Sequence, residues 1–244
     1  MVNYLLTICY DGANYSGYQV QPKLKTVQGV LEEKLKEIFK CEIKTYASGR
    51  TDAGVSALGQ TVNFFAEKKF GEYNLQGYLN TILPEDIRVL NVKYVPEDFN
   101  ARFSAKKKTY AYNFYLSKIN KPYLDKFATR VGYNLDMSRL EQELKSLVGV
   151  HDFTSLSSVD TQVESKVREI FDVKLLKSGE VYTAYFTGSG FLKNMIRVIM
   201  GTGFDIARGK IKESFLTLIE KQDRKVAGKT ASPVGLVLLE VDYS

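Results

Sequence analysis

Histidine and cysteine are almost missing from this chain of 244 residues, which holds one His and two Cys. The single imidazole, His151, leaves at most one candidate for a histidine-based triad and excludes a histidine-rich metal site. Cys9 and Cys41 are too few and too isolated for a disulfide framework or a zinc site, and their apolar neighbours suggest buried thiols. No apolar run reaches the roughly 18 residues of a membrane helix. Met1-Val2-Asn3-Tyr4 has no basic stretch ahead of an apolar core, so no secretion signal is evident and the expectation is cytoplasmic residence. Any chemistry must then rest mainly on carboxylate, tyrosine, arginine or lysine. The rest of the composition, 44% hydrophobic and 25% charged, is that of a globular chain long enough for one large domain or two ordinary ones.

Acidic residues are outnumbered, 28 against 34 basic, for a net charge of +6. That excess fits a polyanionic partner, although many non-binders share it. The distribution is more informative. Arg102, Lys106, Lys107 and Lys108 are interleaved with Phe99, Phe103, Tyr110 and Tyr112, a mixture that suits phosphates together with stacked bases. A solvated linker beside a strand has the same pattern.

Hydrophobic periodicity predicts a strand over 3–10, a turn at Asp11-Gly12-Ala13-Asn14, and a helix capped by Thr26. Strands over 42–46 and 60–67 follow, then a helix capped by Asn74 and ended by Pro84, and a strand over 87–95. The second half repeats this order. It has a strand over 108–116 with Tyr110, Tyr112 and Phe114 on one face, a helix capped by Asp136, and a hairpin of 170–177 with 181–186. Helices from about Phe191 and about Ile211 precede a closing strand over 236–243. The expected class is α+β, with two pseudo-duplicated β-α-β-β-α-β halves of the RNA-recognition or ferredoxin-like kind. Their sheets would be mixed and mainly antiparallel, with residues 1–104 and 105–244 as the halves and a central cleft for the ligand.

The chain is organised around the stretch 47–64, which has three glycines, Gly49, Gly54 and Gly59, within eleven residues. Between the first two sit Arg50, Thr51 and Asp52, and small neighbours leave Asp52 open to a ligand. A tight turn in which Asp52 caps its own backbone has the same composition. Gly54, Gly59, Gln60 and Thr61 have the outline of a phosphate-binding P-loop without its lysine, which argues against nucleotide hydrolysis. In the helix near Phe191, apolar residues surround nearly the whole circumference, and Lys193, Arg197 and Gly201 form the only polar or small stripe. A guanidinium in a buried helix needs an anion. Asp52 is the favoured partner, with Asp205 or an RNA phosphate as alternatives.

Gly49-Arg50-Thr51-Asp52-Ala53-Gly54-Val55, followed by Ala57 and Gln60, resembles the active-site motif of the tRNA pseudouridine synthase A family. The likeness extends through Asp11, Gly12, Gly17, Gln19, Gln21, Val27 and Gln28, then Phe99-Asn100-Ala101-Arg102 and Lys108-Thr109-Tyr110-Ala111-Tyr112. It continues in His151-Asp152-Phe153, Arg168-Glu169-Ile170, Phe191-Leu192 with Met195, Arg197 and Gly201, and the segment 231–236. Tyr18 stands where a tryptophan is usual, Ser56 and Val234 where histidines are common, and Lys108 where an arginine is common. The first two histidine replacements suggest altered contacts to RNA, and the lysine keeps the charge without bidentate geometry. The resemblance implies an isomerase that converts uridine to pseudouridine in the tRNA anticodon arm, at uridines 38 to 40 of tRNA. It would work in the cytoplasm as a homodimer with no cofactor and no metal. Asp52 would be catalytic, Tyr110 would stack on the target base, and Arg197 would pair with Asp52. Arg50 would enter the space left by the extruded base or bind its phosphate, with Arg102 and Lys108 as further substrate contacts. A pseudouridine synthase acting on another RNA, or a non-catalytic RNA-binding or chaperone protein, are the alternatives. An acidic side chain inside an anion-binding groove hinders binding alone, which favours chemistry at Asp52.

Overall fold

Alternation of apolar side chains along residues 2–10 turns Tyr4, Leu6, Ile8 and Tyr10 to one buried face, and this segment is strand β1 (Val2–Tyr10). The computed structural model describes residues 1–160 and 163–244, which divide into a first unit of 1–106 with 237–244 and a second of 107–236.

In the first unit, β1 is followed by α1 (Val27–Phe39), β2 (Thr45–Ala47), β3 (Ser56–Ala66), α2 (Glu72–Ile82) and β4 (Ile87–Val95). The Thr26 hydroxyl accepts from the Gly29 amide and starts α1, whose buried stripe is Val27, Leu31, Leu35 and Phe39. Strand β1 lies between β4 and β3, and β2 pairs with β3, all antiparallel. The order 4-1-3-2 is that of a β-α-β-β-α-β fold. Stacked rings of Tyr4 and Phe64, 5.0 Å apart, pack with Phe39 in its core, and the exposed Tyr94 ring lies against Tyr4 at the surface. The closing strand β10 (Leu236–Asp242) groups from Val237 onward with this unit, whereas the sequence reading places it with the second half. Its Val237 and Leu238 pair in parallel with Ser56 and Ala57 of β3.

The second unit holds β5 (Lys107–Leu116), β6 (Thr129–Val131), α3 (Met137–Lys145), β7 (Gly149–Asp152), β8 (Val167–Ser178), β9 (Val181–Gly188), α4 (Met195–Ala207) and α5 (Phe215–Glu220). Its sheet runs β5-β9-β8-β7, antiparallel throughout, with β6 added in parallel to β5. The α+β class with mainly antiparallel strands is as the sequence predicts. Strands β6 and β7 are additions, because three or four residues are too short to show a period. Helix α4 is buried on nearly every side through Ile196, Val198, Ile199, Met200, Phe204 and Ile206.

Several boundaries differ from expectation for local reasons. Helix α2 begins at Glu72 behind Gly71, because the Leu75 amide already bonds the Gly71 carbonyl, so Asn74 lies inside the first turn. Strand β3 begins four residues early, drawn out by its pairing with β10. Helix α4 begins at Met195, not near Phe191, because Asn194 is left-handed at φ 60, and α5 waits for the Ser214 cap. Cys9 is half-buried and Cys41 exposed, so the expected buried thiols are not found. Alternation along β1 puts Cys9 on the face opposite Ile8 and Tyr10, and Cys41 falls just beyond α1. Among the described residues no helix is long and apolar enough to cross a membrane.

Two glycine replacements should act oppositely. A Cβ at Gly59 would lie 2.3 Å from the Leu239 carbonyl oxygen, whereas at Gly77, exposed within α2, it would meet nothing within 4 Å. Urea unfolding should show Gly59→Ala destabilising by about 1–3 kcal/mol and Gly77→Ala stabilising by about 0.5–1 kcal/mol. Equal midpoints for the two variants would refute the packing of β3 on β10.

Candidate active site

The segment between β2 and β3 has little regular structure, so its shape depends on the bonds that pin it at each end. At its entry the Ser48 amide donates to the Thr61 carbonyl (2.9 Å) and the Ser48 hydroxyl to Gln60 Oε1 (2.7 Å). Gln60 Nε2 in turn donates to the Gly49 carbonyl at 2.8 Å. Gln60 is fully buried, so this amide is a fixed strut rather than a surface contact. At the exit the Val55 amide bonds the Asp52 carbonyl at 3.1 Å, closing a four-residue turn with Gly54 at φ 76. Such a turn requires glycine at its third position. It is closed by main-chain atoms.

The loop after β1 supports this turn. Tyr10 shares a buried hydrogen bond with Thr51 Oγ1 (2.8 Å), and the Tyr18 amide donates to the Thr51 carbonyl (3.0 Å). The Gly12 amide donates to Ser56 Oγ (3.0 Å), and the Gly54 amide to the Tyr15 carbonyl (3.4 Å). A Cβ at Gly12 would fall 2.2 Å from the Val55 carbonyl oxygen, so only glycine allows the two loops to touch. The residues flanking Asp52 are thereby held, and Asp52 itself is half-exposed between them. Burial pushes the Tyr10 phenol up to about 12, which keeps it protonated as a hydrogen-bonding group at neutral pH. Burial also raises Tyr18, whose hydroxyl has no hydrogen-bond partner among the described residues. Ser56 turns its hydroxyl to the Gly12 backbone, a structural bond where the sequence reading proposes only an RNA contact.

Each sequence-predicted residue has a definite place. Arg50 is exposed on the same loop as Asp52. Arg102, also in the first unit, is exposed with its guanidinium 5.3 Å from the Phe103 ring centre. In the second unit, Lys108 and Tyr110 share β5, with Lys108 half-buried. Tyr110 is only 8% exposed and meets Phe191 edge-on at 5.3 Å. Arg197, half-buried near the start of α4, donates from Nε to the Ala231 carbonyl (2.9 Å) and from one terminal nitrogen to Asn194 Oδ1 (2.6 Å). Asp205 lies eight residues along the helix, about 12 Å away. It is engaged there by Arg208 (2.6 Å) and Lys210 (2.9 Å), which weakens it as the structural partner of Arg197. Lys193, expected on the helical stripe, precedes the helix and pairs with Asp160. His151 packs edge-on against Phe153.

Sequence reasoning assigned no role to Tyr10, Ser48 and Gln60 around the Asp52 loop in the first unit, or to Asn194 beside Arg197 in the second. The signal for Gln60 was weak, because β3 also carries Ser56, Thr61 and Asn63 among its apolar residues. None existed for Asn194, whose role depends on where α4 starts.

A family model described as tRNA pseudouridine synthase matches residues 7–104 and 144–244. A tRNA pseudouridine synthase A of Caldicellulosiruptor saccharolyticus is 43% identical over 244 residues, covering 100% of both chains. One from Anoxybacillus flavithermus is 41% identical over 239 residues, 97% of each chain. One from Listeria monocytogenes serovar 1/2a is 39% identical over 247 residues, 100% of each. The solved structure of a Cbf5-Nop10-Gar1 complex aligns at a TM-score of 0.39 and 9% identity, over 96% of this chain and 57% of that one, too distant to add to the fold described above.

Two buried polar side chains beside the loop should respond in opposite directions. Tyr18→Phe removes an unsatisfied hydroxyl and should raise stability by about 1 kcal/mol, whereas Gln60→Leu removes the bonds to the Gly49 carbonyl and the Ser48 hydroxyl and should cost about 2–4 kcal/mol. Guanidinium titration followed by circular dichroism measures both. A Gln60→Leu protein as stable as the parent would show that the strut is not needed.

Proposed function

This chain belongs to the tRNA pseudouridine synthase family, and on that premise we propose that it isomerises uridine to pseudouridine in tRNA with Asp52 as its catalytic carboxylate. The observation that carries the assignment of Asp52 is the bracing of its loop on both sides, at Thr51 by Tyr10 and Tyr18 and at Val55 by Gly12. A reacting group needs a fixed backbone, because misplacement by about 1 Å costs about a hundredfold in rate.

The reaction breaks the bond from uracil N1 to ribose C1′ and rejoins the base through C5. The C5 proton leaves and N1 takes up a proton, so nothing is gained or lost overall. A glycosidase that adds water uses two carboxylates, one as acid and one as base or nucleophile. Here the base returns to the same sugar and no water enters, so one carboxylate suffices. Asp52 acts in its ionised form. The target uridine has to leave its stack, at a cost of a few kcal/mol, and the Tyr110 ring offsets part of that by stacking on the extruded base. Arg197 supplies a guanidinium that balances negative charge during the reaction. Arg50, Arg102 and Lys108 take phosphates or the vacated space in the RNA. In the second unit Lys166, Arg224 and Lys225 line one depression together with Asp223.

The same proposal includes the finer points that the resemblance implies. The substrate region is the anticodon arm at uridines 38 to 40 of tRNA, the working form is a homodimer, and the location is the cytoplasm. Relatives named tRNA pseudouridine synthase A, similar to this chain from end to end, support the substrate.

The test uses unmodified tRNA carrying tritium at C5 of its uridines. The wild type should release tritium to water, and Asp52→Ala should lower that rate by on the order of 10³-fold while binding tRNA as well as the parent. Binding by both with release by neither would sink the catalytic reading and leave an RNA-binding protein. Replacing uridines 38 to 40 by cytidine should abolish release. Persistent release from that tRNA would place the target elsewhere.

A further inference from the structure

Asn194 is the residue from which α4 starts, and its backbone is left-handed at φ 60, ψ 2. Glycine adopts this conformation with least strain, and asparagine is the commonest alternative. An asparagine just before a helix ordinarily uses its side chain to cap the first amides. Asn194 makes no such bond. Its amide is used elsewhere: Nδ2 donates to Ser158 Oγ at 2.7 Å, and Oδ1 accepts from Arg197 at 2.6 Å. The orientation of the amide is fixed by chemistry, because a guanidinium only donates and must face the oxygen. The Ser158 amide also donates to the Lys193 carbonyl (3.1 Å), so the segment at Ser158 and the turn before α4 are tied by main chain and side chain together.

On its other side Arg197 is held by the segment at Ala231. Its Nε donates to the Ala231 carbonyl, and its own carbonyl accepts from the Ala231 amide at 3.0 Å. Both acceptors of these two bonds are neutral, so these bonds orient the group. Two bonds to a planar fork at different nitrogens define its plane.

We propose that Asn194 is a positioning residue, whose amide, bridged between Ser158 and Arg197, sets the plane of the Arg197 guanidinium for the isomerisation. This rests on the reading that Arg197 serves the reaction. It accounts for an asparagine at a backbone position where glycine is cheaper and where the side chain does not cap.

Asn194→Gly separates the two roles, since it suits the left-handed backbone and lacks the amide. The thermal midpoint should change little, because relief of backbone strain offsets the two lost side-chain bonds, and tRNA affinity should stay within about twofold of wild type. Single-turnover tritium release should fall about 10–100-fold. In an Arg197→Lys background the same change should add no further loss, because the two residues act as one unit. The Arg197 Nε–Hε resonance, sharp and slowly exchanging in the wild type, should broaden and exchange faster in Asn194→Gly. An unchanged resonance, or losses that simply add in the double variant, would overturn the proposal. If the wild type releases no tritium from tRNA, the catalytic reading fails, and the resonance still decides whether Asn194 holds the guanidinium.

Discussion

The turn that carries Asp52 takes its shape from another loop. Between Ser48 and Val55 there is no regular ladder, and the bonds that define the segment come from Tyr10, Gly12, Tyr15, Tyr18 and Gln60. The approach of Gly12 to the Val55 carbonyl leaves no room for a side chain, so the two loops form one packed unit. The Gly49, Thr51 and Asp52 carbonyls and the Gly54 and Val55 amides are bonded within that unit, which braces the turn although it is half-exposed. A carboxylate mounted there is presented by a preorganised backbone, the arrangement that single-residue chemistry requires.

The two units use similar materials in different ways. In the first, helices and strands follow the β-α-β-β-α-β order and Asp52, the proposed catalytic residue, sits in a loop between strands. In the second, Tyr110 stands on a strand and Arg197 near the start of an almost wholly buried helix. Rigid elements aim long side chains well, but an arginine keeps several rotatable bonds even on a helix. Bonds at the guanidinium itself, among them those to Asn194 and to the Ala231 carbonyl, therefore help to aim it. The buried phenols of Tyr10 and Tyr112, both pushed up to about 12 chiefly by burial, serve as neutral hydrogen-bonding struts rather than as proton donors in a reaction.

Much of the fold was legible because amphipathic periods are long-lived signals. Strands β1, β4 and β5 and the caps of α1 and α3 lie at or within one residue of where alternation, Thr26 and Asp136 place them. Failures cluster where a boundary depends on a distant partner. The early start of β3 reflects pairing with the end of the chain, and the late start of α4 reflects a left-handed residue whose side chain is engaged with Ser158. The very short β6 and β7 exist only because neighbouring strands offer them a ladder. Of the site, the motif from Gly49 to Val55 and its family resemblance were readable from residue types alone.

What the sequence determined by itself was therefore the chemistry available and the pattern of elements. Near-absence of histidine and cysteine, one carboxylate among small residues, rings interleaved with cations, and helical and strand periods are all local properties that survive without coordinates. Tertiary structure decided which polar groups bear on one another. That Tyr10 grips Thr51, that Gln60 braces Gly49 across eleven positions, and that Asn194 faces Arg197 with its oxygen are facts of distance and direction. A hydrogen bond weakens steeply over a few tenths of an ångström and a few tens of degrees, and no one-dimensional spacing encodes those.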